Sequence, residues 1–244
     1  MGSKERFYVD IQSLSNGVTG SCHLCVVKFP DGKITRFIVD CGLFQGQNEE
    51  QDYNRSFPFN EDSIEFALIT HNHVDHIGRL PLLVRNGFQG NIYTTVDTST
   101  LLPLALMDSC KVLKDVSKRN GTAPLYQDTH VQQTLSKVIG TPYRTSISIT
   151  ENVQATFFRN GHLLGAALIL VDISFPEFQS IHLLFTGDYN NKNYFFDVDS
   201  LPEEVFELPI TIIQESTYGT MDSTEICPCF EENLLANVNK AEQQ

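Results

Sequence analysis

One nine-residue stretch constrains this chain more than any other: Thr70-His71-Asn72-His73-Val74-Asp75-His76-Ile77-Gly78. Three histidines and an aspartate fall within six positions. They come directly after the apolar run Phe66-Ala67-Leu68-Ile69, which reads as a buried strand, and before Gly78-Arg79-Leu80-Pro81-Leu82-Leu83, which reads as a helix start. The cluster is therefore expected in a strand-to-helix turn. Helix capping has a use for one short polar side chain, but none for three histidines at this spacing. Imidazole nitrogen and carboxylate oxygen are the ligand types a catalytic Zn²⁺ or a similar borderline metal takes. Within H-x-H-x-D-H, His71 and His73 project to one side of an extended segment and can share a metal. Asp75 and His76 lie past the bend and can reach a second.

The surrounding chain has to build a rigid frame for that turn. At 244 residues it can bury a full core as one domain, and 41% apolar with 19% charged residues is ordinary for a soluble globular protein. No apolar run approaches a membrane span, and Met1-Gly2-Ser3-Lys4-Glu5-Arg6 offers neither a secretory signal nor, with Arg6 where Ser or Thr belongs, a myristoylation site. The expected location is inside the cell, cytoplasmic or nuclear. Cys22 and Cys25 have C-x-x-C spacing but lie in a strand-like run, so reduced, buried thiols are expected rather than a redox pair. Cys227 and Cys229 stand too alone for a metal site. The formal charge of −13 excludes a broad basic surface for nonspecific nucleic-acid binding.

Phe7 to Ile11, Cys22 to Phe29 and Ile34 to Asp40 read as an antiparallel meander, with Pro30-Asp31-Gly32-Lys33 as a hairpin turn. Residues 47–62 read as a surface loop. Phe66 to Thr70 is a strand, followed by a short helix to about Asn86 and a strand from Asn91 to Thr95. From Asp97 to Asn120, Leu101, Leu104, Ala105, Met107, Val112, Leu113 and Val116 recur at helical spacing, interrupted early by Pro103, and core packing accounts for the stripe. A further helix is expected from Asp128, as its N-cap, to Ile139. Strands return at Val153 to Arg159, Ala166 to Phe175, Ile181 to Thr186 and Ile210 to Gln214. Strands, then helices, then strands give an α/β (α+β) chain of two mixed sheets packed face to face with helices outside.

The motif resembles the signature of the metallo-β-lactamase superfamily. Asp40-Cys41-Gly42-Leu43-Phe44-Gln45-Gly46, Gly161-His162-Leu163-Leu164-Gly165-Ala166-Ala167, Thr186-Gly187-Asp188-Tyr189 and Glu215-Ser216-Thr217-Tyr218-Gly219 resemble, in order, motifs of its β-CASP branch of RNA-processing nucleases. The resemblance spans roughly residues 7–220. It implies an αβ/βα sandwich, His162 as the third ligand beside His71 and His73, and Asp188 bridging to a second zinc held by Asp75 and His76. Asp40 then braces the ligand loop from behind. Asp75 orients a hydroxide activated between two metals, and Glu215 assists the leaving oxygen. The implied substrate is RNA, expected single-stranded. His23, His130 and His182 stand in no motif, and His182 reads as structural.

The β-CASP domain expected after E-S-T-Y-G has no counterpart within this sequence, nor has the last histidine ligand of the second metal. Residues 1–226 read as the metallo-β-lactamase domain, C-terminally incomplete, and 227–244 as a helix that could open the missing domain. A truncated or split nuclease half is expected, with a protein partner as one source of the rest. The alternatives are a hydrolase of small esters, thioesters or lactones, and a catalytically incomplete scaffold subunit of a nuclease complex.

Overall fold

The computed structural model describes residues 7–15, 19–46, 53–190, 195–207 and 209–217. The first sheet holds six strands in sequence order: β1 (Tyr8–Ser13), β2 (His23–Lys28), β3 (Ile34–Val39), β4 (Phe66–Leu68), β5 (Asn91–Thr95) and β6 (Val138–Thr141). The first three pair antiparallel across the expected Pro30–Lys33 hairpin, and β3 to β6 run parallel. The second sheet holds β7 (Ile147–Ser148), β8 (Val153–Arg159), β9 (Ala167–Ile173), β10 (Ile181–Phe185) and β11 (Ile210–Ile213), in the order β11-β10-β9-β8-β7. Only β10 and β11 are parallel there.

Period-two alternation decides which residues meet. Cys25 and Val27 of β2, Phe37 and Val39 of β3, and Phe66 and Leu68 of β4 face Phe157, Ile169, Val171 and Leu183 between the two sheets. Their neighbours Leu24, Ile38 and Ala67 face outward, under helices that bring Leu80, Leu83, Leu102, Leu106 and Val131. Each such side chain contributes roughly 1.5–3 kcal/mol on burial. Cys22 and Cys25 thus belong to opposite faces, and the described cysteines are all buried free thiols, as the strand pattern predicts.

Helices lie outside: α1 (Val74–Ile77), α2 (Leu80–Arg85), α3 (Val96–Asn120), α4 (Asp128–Leu135) and, against the second sheet, α5 (Glu203–Phe206). Four expectations are corrected. Pro103 does not interrupt α3, which runs 25 residues from a Thr95 cap. The lost hydrogen bond is outweighed by anchors at Leu102 and Leu106, both fully buried. The helix expected up to Ile139 ends at Leu135, because Val138–Thr141 pairs with β5 as a strand. Its N-cap is Gln127, whose N–H donates to His130 Nδ1, so His130 serves the helix end. Finally, the apolar stripe of α3 is only partly core: Leu104, Met107 and Val112 are exposed.

Candidate metal centre

The ligand turn is held in place by backbone contacts before any side chain contributes. Parallel pairing of Val39 with Leu68 sets Asp40 and Thr70 side by side just beyond the C-terminal ends of β3 and β4. Such sheet ends are where α/β folds place ligands. The Cys41 and Leu43 N–H groups then donate to His76 and Val74 carbonyls at 2.7 and 3.0 Å. This close approach is why residue 42 is glycine: a Cβ there would lie 1.5 Å from the Asp75 carbonyl oxygen. Arg79, buried, donates to the Gly42 carbonyl at 2.6 Å and lies between the rings of Phe44 and Phe57.

Asp40 is buried and holds a left-handed φ of 61°. Aspartate tolerates that region better than most residues. Its Oδ1 accepts the Thr70 N–H at 2.8 Å, while Oδ2 accepts the Thr70 hydroxyl and His76 Nδ1–H, both at 2.8 Å. With the Thr70 proton committed to Asp40, the hydroxyl oxygen is left to accept from His71 Nδ1 at 3.0 Å. That fixes the His71 tautomer and frees Nε2 as a donor atom, the arrangement in which an outer partner orients a ligating histidine.

His71 and His73 are joined from the other sheet by His162, on the loop after β8, and by Asp188, on the loop after β10. The three imidazole rings form a near-equilateral triangle, with centroids 4.8, 4.9 and 4.9 Å apart and planes 76–88° to one another. His73 Nδ1 lies 3.2 Å from both His71 Nε2 and His162 Nε2, and Asp188 Oδ2 lies 3.8 and 3.7 Å from those same two nitrogens. All four donor atoms fall within 4.8 Å of one another. Ligands about 2.0–2.1 Å from a tetrahedral zinc would stand roughly 3.3–3.4 Å apart. The residues present therefore fit a divalent ion, and packing gives no other reason to aim three imidazole nitrogens at one point.

Two further residues hold this group together, and sequence reading missed both. Thr70 is the hub just described. Asn160 is buried and donates to the Thr186 and Asp188 carbonyls at 3.1 and 2.7 Å, while its Oδ1 accepts the His162 N–H at 3.2 Å. It thus ties the His162 loop to the Asp188 loop, and its position two residues before His162 is the signal that could have found it. The Gly165 carbonyl accepts from Thr95 and Thr98 hydroxyls, pinning the His162 loop to the start of α3. Gly165 has a φ of 90°, and a Cβ there would lie 2.5–2.6 Å from Thr98 atoms.

His76 packs against His71, ring centroids 4.0 Å apart, but is not one of the four grouped donors. Its Nε2 is 3.3 Å from Asp188 Oδ1, opposite the bond to Asp40. Burial pulls its pKa down, but the Asp40 and Asp188 carboxylates lift it to about 10. Burial and the neighbouring imidazoles instead hold His71 well below the usual histidine range. His162 is likewise lowered, chiefly by burial. The Asp188 carboxyl, pushed up by burial, is brought below its ordinary value by His76 and the other histidines.

The carboxylate of Asp75, in the first turn of α1, is not one of the four grouped donors, and its carbonyl accepts the Ser21 N–H at 2.8 Å. Glu215 lies at the end of β11, where Oε1 accepts the Tyr189 N–H at 2.9 Å and the Glu215 N–H donates to the Thr186 hydroxyl. Glu215, Asp188, His76 and His23 line one cleft of about 360 Å³. His23 Nδ1 is buried there without a hydrogen-bond partner among the described residues. His182 pairs with Asp172 at 2.6 Å on the second sheet, a structural role as expected. Tyr218, Gly219, Cys227, Cys229 and the helix expected within 227–244 lie outside the described residues.

The chain is similar to several known proteins. Ribonuclease TTHA0252 of Thermus thermophilus is 30% identical over 203 residues, which cover 83% of this chain and 42% of that protein. Cleavage and polyadenylation specificity factor subunit 3-II of Arabidopsis thaliana is 31% identical, over 80% of this chain and 31% of the relative. Transcription termination factor FttA of Methanosarcina mazei is 32% identical, over 78% and 29%. The chain therefore spans less than half the length of these relatives. The sequence profile of the metallo-beta-lactamase superfamily matches residues 25–148, which include H-x-H-x-D-H, and the chain belongs to that superfamily.

Proposed function

We propose that this chain carries the metal-binding half of a β-CASP-type nuclease that hydrolyses phosphodiester bonds in single-stranded RNA. The convergence of His71, His73, His162 and Asp188 donor atoms is the observation that carries this reading. Similarity to a ribonuclease supports RNA as the substrate class. In this reading zinc would be held by those four residues, and a second ion would face His76 and Asp188, with Asp75 the further donor that the sequence motif implies. A divalent ion contributes Lewis acidity, lowering the pKa of water and neutralising charge on a phosphoryl oxygen.

The side chains do the rest. Thr70 keeps His71 in the tautomer whose Nε2 faces the site. Asp75 orients the attacking oxygen and takes its proton. Glu215, one loop away and hydrogen-bonded to the Asp188 segment, assists protonation of the departing oxygen. Asp40 holds His76 and Thr70 in register so that both act at fixed positions. The described residues contain no helix long and apolar enough to cross a membrane.

The test is cleavage of a labelled single-stranded RNA by the zinc-loaded chain. Cleavage abolished by chelator and by Asp188→Asn is the expected result. Intact RNA alongside hydrolysis of a chromogenic ester would overturn the nuclease reading in favour of small-molecule ester hydrolysis.

A further inference from the structure

The exposed side of the α3 stripe borders a groove of about 640 Å³ that ends at the proposed metal donors. Ala105, Val112, Leu113 and Val116 form one wall, and Leu43 and Phe44 form the other. Asn72 and His73 lie at its mouth, so one side chain belongs both to the donor triangle and to the groove. Val112 is 52% exposed and continues the apolar wall made by Leu113 and Val116.

We propose that this groove is a base-binding subsite, which seats a nucleobase of the single-stranded nucleic acid next to the phosphate presented to His71, His73 and His162. The proposal rests on the nuclease reading and adds the source of affinity. A chain of net charge −13 gains little from phosphate neutralisation, the usual origin of nucleic-acid binding. Among the described residues the ionisable side chains along the groove, apart from His73, are Arg55 and Asp108, whose formal charges cancel. A neutral, flat group with apolar faces and a polar edge suits such a lining, its faces against Val112 and Leu43 and its edge toward the amides of Asn72 and Asn120. Stacking of bases on side chains such as Phe44 tolerates any sequence, because every base has a π-face.

The experiment measures fluorescence anisotropy of a labelled single-stranded RNA, and of the same strand with abasic positions, on zinc-loaded protein in the cold. Val112→Gln and Val116→Gln are run with Leu104→Gln as control, an exposed position on the same helix that does not line the groove. Metal content is measured for each. Expected are binding about tenfold weaker for the two groove variants and for the abasic strand. Leu104→Gln should match the unmodified chain, and log affinity against log salt should be shallower than about −1.5. Equal affinity for the abasic strand, or a steep salt slope unchanged by Val112→Gln, would overturn the base subsite while leaving the nuclease reading intact. Val112→Gln that alters self-association in sedimentation but not RNA binding would assign the groove to a second copy of the chain and likewise overturn it. Absence of both binding and cleavage, with metal in place, would instead remove the nuclease reading on which it rests.

Discussion

His71 and His76 stand five residues apart in one turn, with ring centroids 4.0 Å apart, yet their surroundings drive them in opposite directions. His71 is walled by other imidazoles and a hydroxyl and stays neutral, with a nitrogen lone pair ready for a cation. His76 is gripped between Asp40 and Asp188 and holds its proton up to about pH 10. One half of the rim is thus preorganised for a metal. The other half calls for positive charge, which in the metal-free chain a proton supplies. The same residue type takes two roles because carboxylates sit on one side and imidazoles on the other.

Removing the brace behind that contrast should have the largest effect. Asp40→Ala leaves the Thr70 N–H, the Thr70 hydroxyl and a buried His76 without their acceptor, and should cost about 3–5 kcal/mol in urea unfolding. Next is pH, followed on chelator-treated protein. For His71 the folded pKa is depressed, so its contribution is present above the ordinary 6.5 and lost as pH falls below it. For His76 the folded pKa is raised, so its contribution is full below 6.5 and lost as pH rises through about 10. Stability should therefore peak near neutrality, and His76→Gln should flatten the alkaline limb only; an unchanged alkaline limb would break the contrast.

A smaller effect, away from the rim, calibrates these. Asp199 is buried against Arg144 and Arg159; burial pushes its pKa up, but the Arg144 hydrogen bond and the Arg159 N–H hold it below the ordinary 3.8. Asp199→Asn should cost about 1–2 kcal/mol at pH 7. The gap to wild type should close as pH falls through and below 3.8, because a depressed carboxyl stabilises only while ionised. The smallest effect should be His162→Ala on the metal-free chain, within about 0.5 kcal/mol by urea unfolding, since this half-buried ring touches mainly the His73 and Asp188 side chains. A large loss there would mean that His162 is structural.

The turn from His71 to His76 was legible because three histidines and an aspartate fall within six positions of the chain, although the structure groups only His71 and His73 of these with His162 and Asp188. His162 and Asp188 were legible only through resemblance, since nothing local distinguishes a histidine or an aspartate at a strand end. Asn160 was missed for a related reason: its importance lies in the two distant loops that it ties together. The same holds for β6. Val138–Thr141 looks like the tail of a helix until β5 offers it a parallel edge. On α3, helical spacing correctly gave the helix, but not which of its apolar residues would find neighbours, and Val112 did not.

Elemental analysis of protein purified without chelator, comparing the unmodified chain with His162→Ala, tests the central claim most directly. Expected is at least about one divalent ion per chain, falling below about half in the variant, while after chelator treatment the two proteins share one urea midpoint. Equal metal in both proteins, or none in either, would contradict it.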